Sequence, residues 1–276
     1  MSGDDGFTFV KYKHPRKNKH KSLGFFEEFS CSKSQTSVKQ LDVLINCICQ
    51  CKVELKSSTF YKELLGSLSQ ILSPDKAANS GEVSLNFQDC VSYGIGRISE
   101  CPIARYQFAL LVLLWQHFRP AGKCYIYDPV FGNLDQQIIK HFELELIPRN
   151  EEAKRCVAQK TLFFVPHCGK PIYNNILWAN WGVGLENVII FGNSFASYQE
   201  RLPLRQLKSE ASYIAEILSM THEVKLQIFT NHDDIFNDTS LHYWVADELH
   251  KKSSSFWSNY EEPVYQESSE IILDKY

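Results

Sequence analysis

The chain has 276 residues, 44% of them apolar and 22% charged, enough for one large buried core of a size that single α/β domains commonly reach. Net charge is −3, and six of the 29 Lys and Arg lie between Lys11 and Lys21, so the remainder is acidic, which argues against a nucleic-acid surface on the folded body. Nine cysteines, an odd number set largely inside apolar runs, suit reduced thiols better than a disulfide framework, and the longest apolar run, Phe108 to Trp115, is far short of the roughly 20 residues of a membrane span.

In chain order, residues 1–30 carry neither helical nor strand periodicity and are expected to form a disordered basic arm, in which KYKHPRKNKHK suits a nuclear import signal as well as a solvated tail. Residues 31–85 read as a helical extension. Val38, Leu41, Leu44, Ile45, Ile48 and Leu55 recur at near-helical spacing, a second helix covers Phe60 to Leu72, and Ser73-Pro74-Asp75 ends it before a loop from Pro74 to Glu82. Cys47, Cys49 and Cys51 resemble half of a zinc site. On a helix only Cys47 and Cys51 share a face, and nothing nearby completes four ligands, so no metal site is expected.

Residues 86–252 alternate between apolar runs and helical patterns. The runs are Cys90 to Tyr93, Cys124 to Tyr127, Leu144 to Ile147, Leu162 to Val165, Val188 to Phe191 and Val224 to Phe229; the helices include Ala104 to Phe118 and Leu207 to Leu218. Continuous apolar strands between amphipathic helices predict an α/β, Rossmann-like fold with a mostly parallel, doubly wound sheet. Only Val224 to Phe229 alternates with polar residues, which marks an edge strand. Residues 253–276 read as a polar, peripheral C-terminal tail.

Ligands of such sheets sit beyond the carboxyl ends of the strands, so the residues following each run are the candidate site. The first run breaks into Gly94-Ile95-Gly96 and leads into a helix. Asp128 follows the second run, 32 residues after Gly96. His167 and Cys168 follow the fourth, Asn193 and Ser194 the fifth. A third fingerprint glycine is missing and Asp128 is distant, which disfavours a nicotinamide cofactor; a methyltransferase-like glycine turn with an acid after the second strand matches better. Each motif alone also serves as an ordinary turn. Asn237 and Asp238 either form an Asx turn into a last strand or close the rim over a ligand. Cys101 precedes Pro102 at a helix start; proline is favoured there, and Cys101 is expected to be largely buried rather than a haem thiolate.

Taken together and in order, YGIGRISE with the following ARYQFALL helix, YDPVFGNLD, FFVPHCGKPIYNNILWANW, VIIFGNSFASY and FNDTSLH resemble the Sensitivity to Red Light Reduced family, over about Asn86 to Trp244. The resemblance implies an α/β domain, involvement in circadian regulation and, in animal relatives, a link to haem biosynthesis and clock-gene expression. It supplies no catalytic residues. The positions matching its motifs are Gly94, Gly96, Asp128, His167, Cys168, Asn193, Ser194, Asn237, Asp238 and His242. The expectation is a regulatory protein in the cytoplasm, the nucleus or both, whose rim of Gly94, Gly96, Asp128, His167, Asn193, Ser194, Asn237 and Asp238 holds a small ligand. The alternative is an S-adenosylmethionine-dependent methyltransferase-like enzyme. The sequence identifies no cofactor and no protein partner.

Overall fold

The structure, a computed structural model, describes residues 29–73, 87–258 and 260–265, with side chains from Lys39 onward. Residues 1–28 of the basic arm, most of the loop after Ser73 and residues 266–276 lie outside the described residues, and the last two residues of the arm begin α1. The chain divides into two units, Met1–Lys39, of which the start of the first helix is described, and Gln40–Tyr276, which carries everything that follows.

The elements are α1 (Phe29–Ser57), α2 (Thr59–Leu72), β1 (Asp89–Tyr93), α3 (Pro102–Phe118), β2 (Cys124–Tyr127), α4 (Asn133–His141), β3 (Glu145–Leu146), β4 (Thr161–Val165), α5 (Lys170–Ala179), β5 (Val188–Asn193), α6 (Phe195–Arg201), α7 (Leu204–Glu210), α8 (Ser212–Ile217), β6 (His222–Lys225), β7 (Thr239–Tyr243), α9 (Ala246–His250) and α10 (Ser254–Trp257). The seven strands form one sheet in the order β3-β2-β1-β4-β5-β7-β6. Every neighbouring pair is parallel except those of β7, which runs antiparallel between β5 and β6. The winding direction reverses between β1 and β4, and the crevice above their carboxyl ends is where such sheets take ligands.

Side-chain alternation divides the core into two layers. Cys90, Ile126, Leu162, Phe164, Ile189 and Phe191 face a layer built from α1 to α4, whereas Val91, Phe163, Val165, Val188 and Ile190 face α5 to α9. On α3 every residue from Gln107 to Leu114 is buried. A helix that is apolar all round needs cover on both sides. The sheet supplies one, and α1 and α2 supply the other through Leu44, Ile48, Cys51, Leu55, Phe60 and Leu64, reinforced by hydrogen bonds from Lys52 to Gln116 and from Tyr106 to Glu54.

Four expectations change. The run Val224 to Phe229 does form the edge strand, but the strand is His222–Lys225; Phe229 turns inward against Phe60 and Phe236. The helix read across Leu207 to Leu218 breaks at Ala211, whose φ of −155° and ψ of 75° are not helical, leaving α7 and α8. The tail is docked as far as Tyr265, because aromatic side chains are spaced along it: Phe256 and Trp257 pack on Trp181, Tyr260 stacks on Trp178, and the Tyr265 hydroxyl reaches Asn174 and Asn175 on α5. Cys101 is half-buried rather than largely buried, and its side chain makes no capping hydrogen bond at the start of α3.

Candidate functional site

β1 leaves the sheet through Gly94 and Gly96, with φ of 70° and 82°, values that only glycine adopts freely. The Gly94 amide still donates to the Tyr127 carbonyl on β2 at 3.2 Å, which keeps the turn beside the end of β2. There Asp128, 8% exposed, accepts the Gly96 amide at 2.7 Å on one carboxylate oxygen and the Val130 amide at 3.0 Å on the other. Burial pushes the Asp128 carboxyl up, with the two amides pulling against it. Asp135 repeats the device one turn further on, accepting the Ser99 and Gly132 amides.

β4 ends in a second left-handed turn. His167, at φ 56°, donates its amide to Asn193 Oδ1 at 2.9 Å, while Asn193 Nδ2 donates to the Cys168 carbonyl and the Tyr198 hydroxyl, each at 3.0 Å. One side chain at the end of β5 thus braces the turn after β4. The His167 and Cys168 side chains diverge: the imidazole Nε2 meets the Asn237 carbonyl at 3.3 Å, and the Cys168 thiol donates to the Tyr93 carbonyl at 3.3 Å. That divergence gives no thiolate–imidazole pair.

Between these turns, above β1, β2 and β4, lies a cavity of about 340 Å³. It has aromatic and aliphatic walls from Tyr127, Pro129, Val130 and Ile172 and a polar set comprising Asp128, Asn150, Glu152 and His167. Such a volume suits a small molecule. Its rim is conformationally unusual. Glu152, Ala153 and His167, three of the six non-glycine residues with positive φ among the described residues, line it together with Gly94. Backbone held in this region costs of order 1–3 kcal/mol per residue and concentrates at functional sites.

The structure therefore brings Gly94, Asp128, His167 and Cys168 to one cavity, with Gly96 joined through Asp128. Asn193 stands behind it as the brace of the His167 turn, and Asn237 contributes a backbone carbonyl to His167. Ser194 and Asp238 are elsewhere. Ser194 caps α6 and donates to Glu223 at 2.5 Å, and Asp238, at φ 53°, accepts from Ser197 and pairs with Arg201. His242 is fully buried against Phe195 and Glu223 and so cannot meet a ligand at the rim. Asn150, Glu152, Ala153 and Ile172 were not expected; the residues following β3 were the one signal, as the continuation of a strand end. Among the described residues no group of three or more His, Cys, Asp or Glu could hold a metal ion, and none of their helices is long and apolar enough to cross a membrane.

Fold and cavity together define a Rossmann-like α/β protein with a small-molecule-sized crevice at the reversal of its sheet. The chain belongs to the SRR1 family: the SRR1 domain matches residues 66–243. It is similar to the SRR1-like protein of Mus musculus, 40% identical over 131 residues that cover 46% of this chain and 53% of that protein. It is 30% identical over 209 residues to Protein SENSITIVITY TO RED LIGHT REDUCED 1 of Arabidopsis thaliana, covering 70% and 71% of the two chains, and 28% identical over 186 residues to the SRR1-like protein of Drosophila melanogaster, covering 67% and 65%. The chain thus spans about half the length of the mouse relative that it matches. No solved structure matches it.

Proposed function

We propose that this chain is a regulatory binding protein whose Rossmann-like rim holds a small ligand. The observation that carries the reading is the convergence of Glu152, Ala153 and His167, all with left-handed backbone, on the cavity beside the Gly94 turn. Strain of that kind persists where the surrounding structure over-determines it for a purpose. Family membership supports the regulatory part, since the Arabidopsis relative is named for sensitivity to red light. We extend it to circadian and haem-linked regulation in the cytoplasm, the nucleus or both, with Lys11 to Lys21 as the import element. Thermal shift of the purified chain against nucleosides, S-adenosylmethionine and haem tests the binding. A ligand at 100 times its Kd raises stability by about 2.7 kcal/mol, and Ile172→Trp, which fills the cavity, should remove that gain.

A second reading, an S-adenosylmethionine-dependent methyltransferase-like enzyme, is favoured by the placement of Asp128 at the end of β2 against the glycine turn. Transfer of a labelled methyl group from S-adenosylmethionine to protein, nucleic acid or small-molecule acceptors, lost in Ile172→Trp, would favour it over binding alone.

A further inference from the structure

In dinucleotide-binding sheets the amides of the glycine turn and the following helix start receive a phosphate. Here protein carboxylates already hold two amides of the segment between β1 and α3, those of Gly96 and Ser99. Asp128 takes the amides of Gly96 and Val130, and Asp135 takes those of Ser99 and Gly132. A further anion-favouring element is the N-terminus of α5 behind Gly169, which lines the cavity. Its second residue, Pro171, has no N–H, and the Ile172 amide is bonded to the Gly169 carbonyl at 3.1 Å.

The side chains add to this. Asp128 and Glu152 line the cavity, and among the described residues neither Lys nor Arg does. Of the cations that adjoin lining residues in sequence, Lys154 is held between Glu152 at 2.6 Å and Glu262 at 2.7 Å, Lys170 pairs with Glu210, and the Arg149 charge acts on Glu151. An anion entering would meet the Asp128 carboxylate and a Glu152 carboxylate whose one cation, Lys154, is shared with Glu262, whereas a hydroxyl or ammonium would meet acceptors.

We propose that the cavity takes a phosphate-free ligand, neutral or cationic, that donates hydrogen bonds to Asp128 and Glu152 while its apolar body lies against Tyr127, Pro129 and Ile172. The proposal rests on the binding reading above and narrows it.

The test uses the full chain, isotopically labelled, with backbone amide shifts of Gly94, Ala153 and Ile172 as the readout. The probes are matched pairs: adenosine and adenosine 5′-monophosphate, ribose and ribose 5-phosphate, glycerol and glycerol 3-phosphate. In at least one pair the unphosphorylated member should bind about tenfold tighter or more, the scale expected of a second anion placed beside a carboxylate. Glu152→Gln, which leaves the glycine turn intact, should narrow the gap, and Asp128→Asn should narrow it further. Equal or tighter binding of the phosphorylated members, or a gap unchanged in both variants, overturns the phosphate-free assignment and leaves the binding reading standing. If no probe moves these three amides, the binding reading itself fails, and this inference with it.

Discussion

A Cβ at Gly94 would lie 2.6 Å from the sulfur of Cys168, so the turn after β1 and the turn after β4 are fitted to each other across the floor of the cavity. The fit explains why both turns are built from such small groups at this point. Gly94→Ala should destabilise the chain by about 2–4 kcal/mol, combining the left-handed φ with the overlap. Cys168→Ala should relieve the overlap but not the φ, so the double variant should be less destabilised than the sum of the two by about 1 kcal/mol. Urea unfolding of the four proteins measures this, and strict additivity would show that the two turns are independent.

Asn193 shows how a residue at a strand end can matter without touching a ligand. Its amide satisfies the His167 N–H and the Cys168 carbonyl at once, holding His167 at φ 56°. Asn193→Asp keeps the acceptor and loses both donors, leaving the Cys168 carbonyl and the Tyr198 hydroxyl without this partner. A loss of about 1–3 kcal/mol is expected. Hydrogen exchange at His167 should accelerate relative to amides in β1, and unchanged protection there would remove Asn193 from its role as brace.

Much of this was legible in the sequence because the physics was local. Interior parallel strands such as Thr161–Val165 are buried on both faces and stand out as apolar runs, and glycines, Asp128 and His167 follow the runs at the ends where ligands gather. β7 was less visible because Ser240 and His242 are buried polar residues in what would otherwise be an apolar face. The break at Ala211 carries neither glycine nor proline, so helical spacing ran straight through it. Glu152 and Ala153 escaped for a related reason: a left-handed conformation in ordinary residues is imposed by tertiary contacts and leaves no local code.

Glu223 makes acid stability a test of the β6–α6 junction. Burial pushes its carboxyl up, but the neighbouring His242 imidazole, together with the Ser194 hydroxyl and the Ala196 amide, outweighs that and holds its pKa at about 2. A carboxyl depressed in the folded state contributes stability that is present above its unfolded pKa, roughly 4.3, and is lost as pH falls from there toward 2. Glu223→Gln should therefore be less stable than the natural chain at pH 7 by about 2–3 kcal/mol, with the two converging at pH 2–3. Unfolding midpoints measured across pH 2 to 7 check it; a constant difference over that range would show that the carboxylate charge is not what matters.

Tyr265 ties the end of the described chain to the cavity wall. Its hydroxyl accepts from Asn174 Nδ2 at 2.9 Å and donates to Asn175 Oδ1 at 3.0 Å, and both asparagines are buried. Burial pushes the Tyr265 pKa up to about 12, so the hydroxyl keeps its proton at neutral pH. Asn175 Nδ2 in turn donates to the carbonyl of Glu152 at 2.8 Å, and Asn174 Oδ1 accepts the Tyr213 amide at 2.8 Å. Tyr265→Phe preserves the ring and removes only the hydroxyl, leaving two buried amides short of a partner at a cost of about 1–3 kcal/mol. Because the chain of hydrogen bonds reaches Glu152, whose left-handed backbone lines the cavity, amide exchange at Glu152 and Ala153 should rise with the loss of Tyr265. A stability loss without that local change would mean that the strap fastens α5 alone; unchanged stability and exchange would show that its docking contributes nothing to either.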